Sequence, residues 1–376
     1  MMTHQPALQV TAGVDTHADV HVAAVLDHLG RELGHRQFDT TAAGDVELHA
    51  WIAGHGPIDR IGVEGTGMYG AGLTRMLTAR GVTVVEVDRP DRKARRLQGK
   101  SDPLDAYAAA RAAQSGRAAG TPKTRTGNVE MIRMLHVARG GAVKSKTIAW
   151  NELKALIQTA PAPLREQLRG LDGAALLDRC IGLRAARGLA PHHGPHAKRQ
   201  RPGMLADPTA ACKRALAVLA RRIRTLQDEI ADLDDDLRPL VEQTAPTLLG
   251  LFGVGLDVAA RLLAAVGDNP ERLRSEAAFA HLCGVAPIPA SSGKTNRHRL
   301  NRGGDRSANH ALYTIVMSRL RYDQRTQAYK TKRAAQQKSN KDIIRCLKRY
   351  VAREVHHAIL TDLGVTSTSE QPNLAA

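Results

Sequence analysis

The 376-residue sequence predicts an α/β domain followed by an all-α remainder. Three observations point that way. Apolar runs of strand length recur before residue 90, with helical stretches between them. Beyond residue 128 the apolar positions return at helical spacing. Leu216, Leu219, Ile223, Leu226, Ile230, Leu233, Leu237 and Leu240 then form an unbroken heptad seam.

In chain order, residues 8–15, 20–27 and 32–38 read as three strands, with Gly30 in the second turn. A helix over 41–54, a strand over 58–64, a helix over 69–80, a strand over 82–87 and a helix over 103–114 follow. Asp102 reads as the N-cap of that last helix, with Pro103 at its first position and an acid in its first turn. Three strands in series, then helix–strand–helix–strand–helix, make a mixed sheet. That is the order expected of a ribonuclease H-like fold. Residues 120–127 form a polar linker, and 129–159 a long helix stopped by Pro161 and Pro163. Residues 188–203 are rich in Gly, Pro, His and basic residues and read as an exposed loop. Asp207-Pro208 opens the seam helix as N-cap and first-turn proline. The seam can close within one chain or between two, and a contribution to dimerisation is preferred. Composition shifts again after Pro246, so the expected domains are 1–120, 121–245 and 246–376.

Formal net charge is +17, and residues 294–353 alone hold 17 Lys+Arg against three Asp. Such an excess is a statement about partners, and it favours a polyanion such as nucleic acid. No apolar run is long enough to span a membrane and no apolar leader opens the chain, so a soluble, cytosolic protein is expected. The four cysteines are far apart, without a C-x-x-C pair, and read as reduced packing residues. Three Phe and two Trp are too few for a base-stacking platform.

Four carboxylates carry the chemistry. Asp15 and Glu64 close apolar runs, and Asp102 and Asp105 sit where a helix begins. Each alone reads as a turn, strand-end or capping residue. Together they fall at ends of elements that one fold would gather. Clustered carboxylates repel unless a cation neutralises them, and a hard oxygen-loving ion such as Mg²⁺ fits. In so basic a chain, that points to phosphodiester chemistry.

Further along, Gly253-Val254-Gly255 precedes a helix and resembles the turn of a helix-hairpin-helix, whose N–H groups approach a phosphate; a plain helix–helix turn is equally compatible. Ser291-Ser292-Gly293-Lys294 places a hydroxyl on a loop. Around it Lys294, Arg297, Arg299, Arg302 and Arg306 can hold a phosphate and its transition-state charge, with Gly303-Gly304 as a flexible approach to a helix over 308–321. His192, His193 and His196 lack acidic or Cys co-ligands and read as part of a basic loop, not a metal site.

Two blocks in order carry a family resemblance. The first is Gly13-Val14-Asp15, Val63-Glu64-Gly65-Thr66-Gly67 and Lys100-Ser101-Asp102-Pro103-Leu104-Asp105-Ala106. The second is Leu249-Gly250-Leu251-Phe252-Gly253-Val254-Gly255, Gly284-Val285-Ala286-Pro287, Ser291-Ser292-Gly293-Lys294 and Asn301-Arg302-Gly303-Gly304. Together they resemble the DEDD transposases typified by insertion sequence 110, to which Piv-type DNA invertases are related. The resemblance implies a RuvC-like first domain with Asp15, Glu64, Asp102 and Asp105 as a Mg²⁺-binding tetrad. It implies a mainly helical C-terminal transposase domain whose serine becomes linked to a DNA phosphate, and family spacing favours Ser292 over Ser291. It also implies donor and target DNA, a structured guide (bridge) RNA and a dimer or tetramer at work in the nucleoid. A site-specific invertase, a RuvC-like junction nuclease using water and a non-catalytic nucleic-acid binder are the alternatives.

Overall fold

The computed structural model describes residues 8–87, 101–187, 204–273, 275–295 and 297–364. The chain forms two compact units, 1–130 together with 262–376, and 131–261. The expected His-rich loop, 188–203, lies outside the described residues.

The first unit opens with β1 (Val10–Thr16), β2 (Val20–Leu26), β3 (Glu32–Asp39), α1 (Ala42–Ala53), β4 (Ile58–Glu64), α2 (Ala71–Ala79), β5 (Val84–Val87) and α3 (Asp102–Gln114). The sheet order is β3-β2-β1-β4-β5. The first three strands are antiparallel neighbours, and β4 and β5 run parallel to β1 and to each other. This mixed five-stranded sheet agrees with the sequence expectation and is consistent with a ribonuclease H-like domain.

β1 is central and buried throughout. Side chains alternate across a strand, so its two faces serve different partners. Val10, Ala12 and Val14 join Ala23, Val25, Ile61 and Val63 in a core closed by Leu48, Ile52, Leu73 and Leu77 of α1 and α2. On the other face α3 lays Ala106, Tyr107 and Ala110 against Val22, Ala24 and Leu26. Gly13 makes that approach possible. A Cβ there would collide with the Ala106 carbonyl and the Ala110 amide, and one on Gly62 would come within 2.7 Å of the Ala109 carbonyl. Helix and sheet meet backbone to backbone.

One expectation at α3 is corrected. Ser101, extended at φ −148°, is the N-cap residue, and Asp102 is already helical. Pro103 tolerates the second position as well as the first, because neither N–H has an intrahelical acceptor. The Asp102 side chain is thus not the cap of this helix.

Most of α4 (Asn128–Thr159), with α5 (Ala162–Leu168), α6 (Gly173–Ile181), α7 (Pro208–Thr244), α8 (Pro246–Leu249) and the start of α9 (Leu256–Val266), builds the second unit. Asp207 caps α7 as expected, accepting from Ala210 N at 2.7 Å. One row of the heptad seam, Leu216, Ile223, Ile230 and Leu237, is buried within the single chain. The alternate row, Leu219, Leu226, Leu233 and Leu240, is half-buried. Asp257 ties α9 to α4. It accepts from His136 Nε2 at 3.0 Å, Arg139 Nη1 at 3.3 Å and Arg261 Nε at 2.7 Å. Arg139 also reaches Asp234 on α7, at 3.1 Å from Nη2 to Oδ2.

The chain then returns to the first unit with α10 (Glu276–Leu282), the short strands β6 (Ile288–Pro289) and β7 (His298–Arg299), and helices α11 (Arg306–Tyr322), α12 (Gln324–Ala335) and α13 (Asn340–Asp362). The expected linker, 120–127, is polar because it is hydrogen-bonded. Glu86 N donates to Gly120 O at 2.7 Å, Lys123 Nζ to Ala264 O at 2.7 Å, and Asn269 Nδ2 to Pro122 O at 3.0 Å. Burial, with Arg272 adding to it, pushes the Lys123 ammonium down to about 8.

Two expectations follow. Gly13→Ala should lower the unfolding temperature, at a cost of about 1–3 kcal/mol or more, because α3 must lift. Gly140→Ala on α4, where an added Cβ meets nothing within 4 Å, should raise it. Equal effects in a thermal melt would refute the close-packing account. The second concerns Asp257, whose carboxyl is held below the usual range chiefly by the His136 hydrogen bond and then by Arg261. A lowered acid stabilises the fold above its ordinary pKa and loses that contribution as pH falls through the lowered value. Asp257→Asn should therefore melt earlier than wild type at neutral pH, with the gap closing below about pH 4. A gap independent of pH would remove the carboxylate from the stabilising network.

Candidate active site

Register decides which side chains meet. Asp15 pairs with Val22 across β1–β2, and lies two residues beyond Gly13 on the α3 face. A helix seated on Gly13 through Ala106 and Ala110 must begin beside Asp15, and its first turn carries Asp102 and Asp105. Asp15 and Asp105 are buried, at 6% and 5% exposure, whereas the Asp102 side chain is 45% exposed. Glu64 ends the neighbouring strand β4, where Thr16 Oγ1 donates to its carbonyl at 2.7 Å.

His17, which the sequence reading overlooked, joins them. Its Nε2 lies 3.1 Å from Asp15 Oδ2 and 3.7 Å from Asp102 Oδ1. Single ligand atoms of Asp15, His17 and Asp102 all lie within 4.8 Å of one another. The signal was present in the sequence: an Asp-x-His step places both side chains on one face of a strand end. Glu64 and Asp105 stand outside this closest trio, on the adjoining strand end and one helical turn further along α3.

The electrostatics of the cluster favour a cation. Burial raises the Asp15 carboxyl above its ordinary value, His17 opposes the rise, and the charges of Asp105 and Asp102 add to it. A buried carboxylate beside two others is costly until positive charge arrives. Carboxylate oxygens with an imidazole nitrogen suit a divalent ion of the Mg²⁺ or Mn²⁺ kind.

Ser292 lies at the tip of the β6–β7 hairpin. Ile288 pairs with Arg299 and Pro289 with His298. Ser292 and Thr295 exchange backbone bonds at 3.1 and 3.0 Å around Gly293, which takes φ +55°. The Ser291 hydroxyl is engaged with Arg297, accepting from its N–H at 3.2 Å. The exposed Ser292 hydroxyl has no hydrogen bond among the described residues. Lys294, Arg297, Arg299, Arg302 and Arg306 are all exposed, and none forms an ion pair among the described residues. Residues 303–305, expected to be flexible, are clamped instead: Asp305 N donates to Leu282 O at 2.6 Å, and Asp305 caps α11 through Ala308 N at 2.8 Å. Gly253 and Gly255 lie in the second unit, between α8 and α9, with Gly253 at φ +87°.

Comparison with known proteins accords with this arrangement. Residues 12–161 match the model of the DEDD transposases of the IS110 group, and residues 245–331 match that of the Transposase IS116/IS110/IS902 family. No curated protein matches the chain. No helix among the described residues is long and apolar enough to cross a membrane. The sheet with its acidic edge and the matched C-terminal block define an enzyme that moves DNA, a transposase or recombinase. The chain belongs to the IS110 family of DEDD transposases.

If the trio and its neighbours hold a divalent cation, adding one should stabilise the protein by mass action, by about 2.7 kcal/mol at a hundredfold excess over Kd. Asp15→Asn should abolish that shift and raise the melting temperature of the metal-free protein, since it removes a buried charge beside two others. A metal-induced shift that persists in Asp15→Asn would refute the assignment.

Proposed function

We propose that the protein excises and inserts a mobile element by serine-mediated DNA strand exchange, with Asp15, Glu64, Asp102 and Asp105 as a RuvC-like tetrad. The observation that carries this is the gathering of buried Asp15 with Asp102 and His17 at one sheet edge, with Asp105 close enough to act on Asp15. When bound, Mg²⁺ would polarise the scissile phosphate and stabilise the charge on its oxygens. The tetrad carboxylates would hold the ion, and α3 would keep Asp102 and Asp105 in place.

Ser292 Oγ would form a bond to phosphorus as the bond to the leaving nucleotide oxygen breaks. The hydroxyl proton passes to a base and the leaving oxygen takes one up, so the count of phosphorus–oxygen bonds is unchanged and the link can be reversed to rejoin strands. Arg and Lys of 294–306 would neutralise the crowded phosphate. The unengaged Ser292 hydroxyl, beside a Ser291 already bound into the hairpin, supports Ser292 as the nucleophile.

Guide-RNA pairing to donor and target DNA is part of the same reading, as is action as a dimer or tetramer. Net charge +17 with only three Phe and two Trp fits a protein that binds backbone and shape while base pairing reads sequence. Gly253 and Gly255 would add backbone contacts to phosphate. The functional division would be a catalytic domain over 1–120, a helical region over 121–245 and a transposase domain over 246–376.

The test is to trap the protein on donor DNA with Mg²⁺ and map any phospho-linked peptide by mass spectrometry. The expected adduct is on Ser292; Ser292→Ala should lose it, and Asp102→Asn should lose cleavage while DNA affinity stays within about threefold, an effect under about 1 kcal/mol. Cleavage by Ser292→Ala without an adduct would favour a nuclease that uses water.

A further inference from the structure

A cleft of about 510 Å³ lies among the C-terminal helices, and its charged lining is all basic. Arg302 and Arg306 enter from the loop and first turn of α11, and Lys348 from α13. His310 and Tyr313, one turn apart on α11, supply two rings, their centroids 6.4 Å apart.

The cleft is built in advance. Lys348 Nζ donates to Asn309 Oδ1 at 2.9 Å, and Asn309 Nδ2 donates to Cys283 O at 2.7 Å. The ammonium is therefore aimed by an amide that is itself fixed to backbone. Burial, with Arg345 adding to it, lowers the Lys348 ammonium below its ordinary value, so an arriving anion would be welcome. The floor is the loop 301–305, lying flat on the end of α10. A Cβ on Gly304 would collide with the backbone of Gly284 and come within 2.9 Å of the Leu282 carbonyl. Asn301 Nδ2 holds His281 O at 3.0 Å and Asn301 Oδ1 accepts from Gly303 N at 3.0 Å.

Three cations with no lining carboxylate select an anion. The volume and the ring pair select more than bare phosphate, since pockets of about 300–1,000 Å³ take whole small molecules. Bases of single strands stack on Tyr and His rings. We propose that this cleft receives one nucleotide of a bound single strand, its phosphate held by Arg302, Arg306 and Lys348 and its base laid against Tyr313 and His310. The proposal rests on the reading of the chain as a nucleic-acid enzyme, but not on the tetrad or on Ser292.

The test uses the full chain without divalent cation and a short labelled single strand, made both as DNA and as RNA. The double variant Lys348→Gln, Arg306→Gln should bind at least about tenfold more weakly, and its log-affinity salt slope should fall by about 1.4, near 0.7 for each lost phosphate contact. Tyr313→Leu should weaken binding by roughly five- to a hundredfold. A wild-type crosslink from 5-iodouracil should map to Tyr313 or His310. Weakening with DNA alone, with RNA alone or with both supports the cleft and identifies which strand enters it. Unchanged affinity and slope for both in variants that melt like wild type, or crosslinks confined to other peptides, would overturn it. A cleft crosslink here with no Ser292 adduct in the separate Mg²⁺ trapping experiment would sink the strand-exchange reading and leave the cleft standing; an adduct there without the crosslink here would do the reverse.

Discussion

The first unit depends on the contact between α3 and the glycine-lined face of β1 and β4. Gly13 and Gly62 remove the two Cβ atoms that would hold the helix off the sheet, and Ala106, Ala109, Ala110 and Ala113 keep the helix side small. Flush packing sets more than the height of the helix. Asp15 follows Gly13 by two residues and Glu64 follows Gly62 by two, so both carboxylates stand on the face that α3 covers. The helix begins at Asp102, over the strand ends. The same small residues that close the core therefore determine where the acids meet.

That arrangement puts folding and chemistry in opposition. Buried carboxylates near one another destabilise the unit, and the raised Asp15 carboxyl records it. His17 relieves part of the tension through one hydrogen bond to Asp15. A cation bound beside these carboxylates would relieve the rest. Much positive charge sits elsewhere, on the exposed hairpin and loop over 294–306.

Legibility followed locality. Strand lengths, the helix starts at Asp207-Pro208 and near Asp102-Pro103, and the heptad seam were all readable, since each rests on residues close in sequence. Asp15, Glu64, Asp102 and Asp105 could be singled out because they sit at element ends and match a family pattern, and the structure brings Asp15 and Asp102 together. His17 was missed because a lone histidine beside a strand end has many bland explanations, and only register showed what it faces. The cap of α3 fell one residue from its expected place because Ser101 and Asp102 are both good caps, and backbone dihedrals alone decide between them. The linker was legible as a linker, but its hydrogen bonds were not. Polar composition is the same whether a segment faces water or hydrogen-bonds to Ala264 and Asn269, more than a hundred positions away in the chain.

Those long-range bonds matter for how the acidic edge is tied to the C-terminal helices within one unit. The turn after Glu64 sends Thr66 Oγ1 to Glu86 Oε1 at 2.6 Å, and the other oxygen of Glu86 accepts from Arg272 Nη2 at 3.4 Å. Arg272 in turn donates to Thr121 O at 3.0 Å and Val266 O at 3.3 Å. Glu86 N completes the tie through Gly120 O. Thr66 is buried and the Arg272 side chain is 12% exposed, while Glu86 keeps 32% of its side chain exposed, so the joint is partly shielded from water and salt. The tie rests on several hydrogen bonds together more than on the Arg272–Glu86 ion pair alone. The strand end that carries Glu64 is thereby anchored to the segment from which the C-terminal helices begin, and chemistry that needs both can rely on a joint of hydrogen bonds where the sequence shows only a polar stretch.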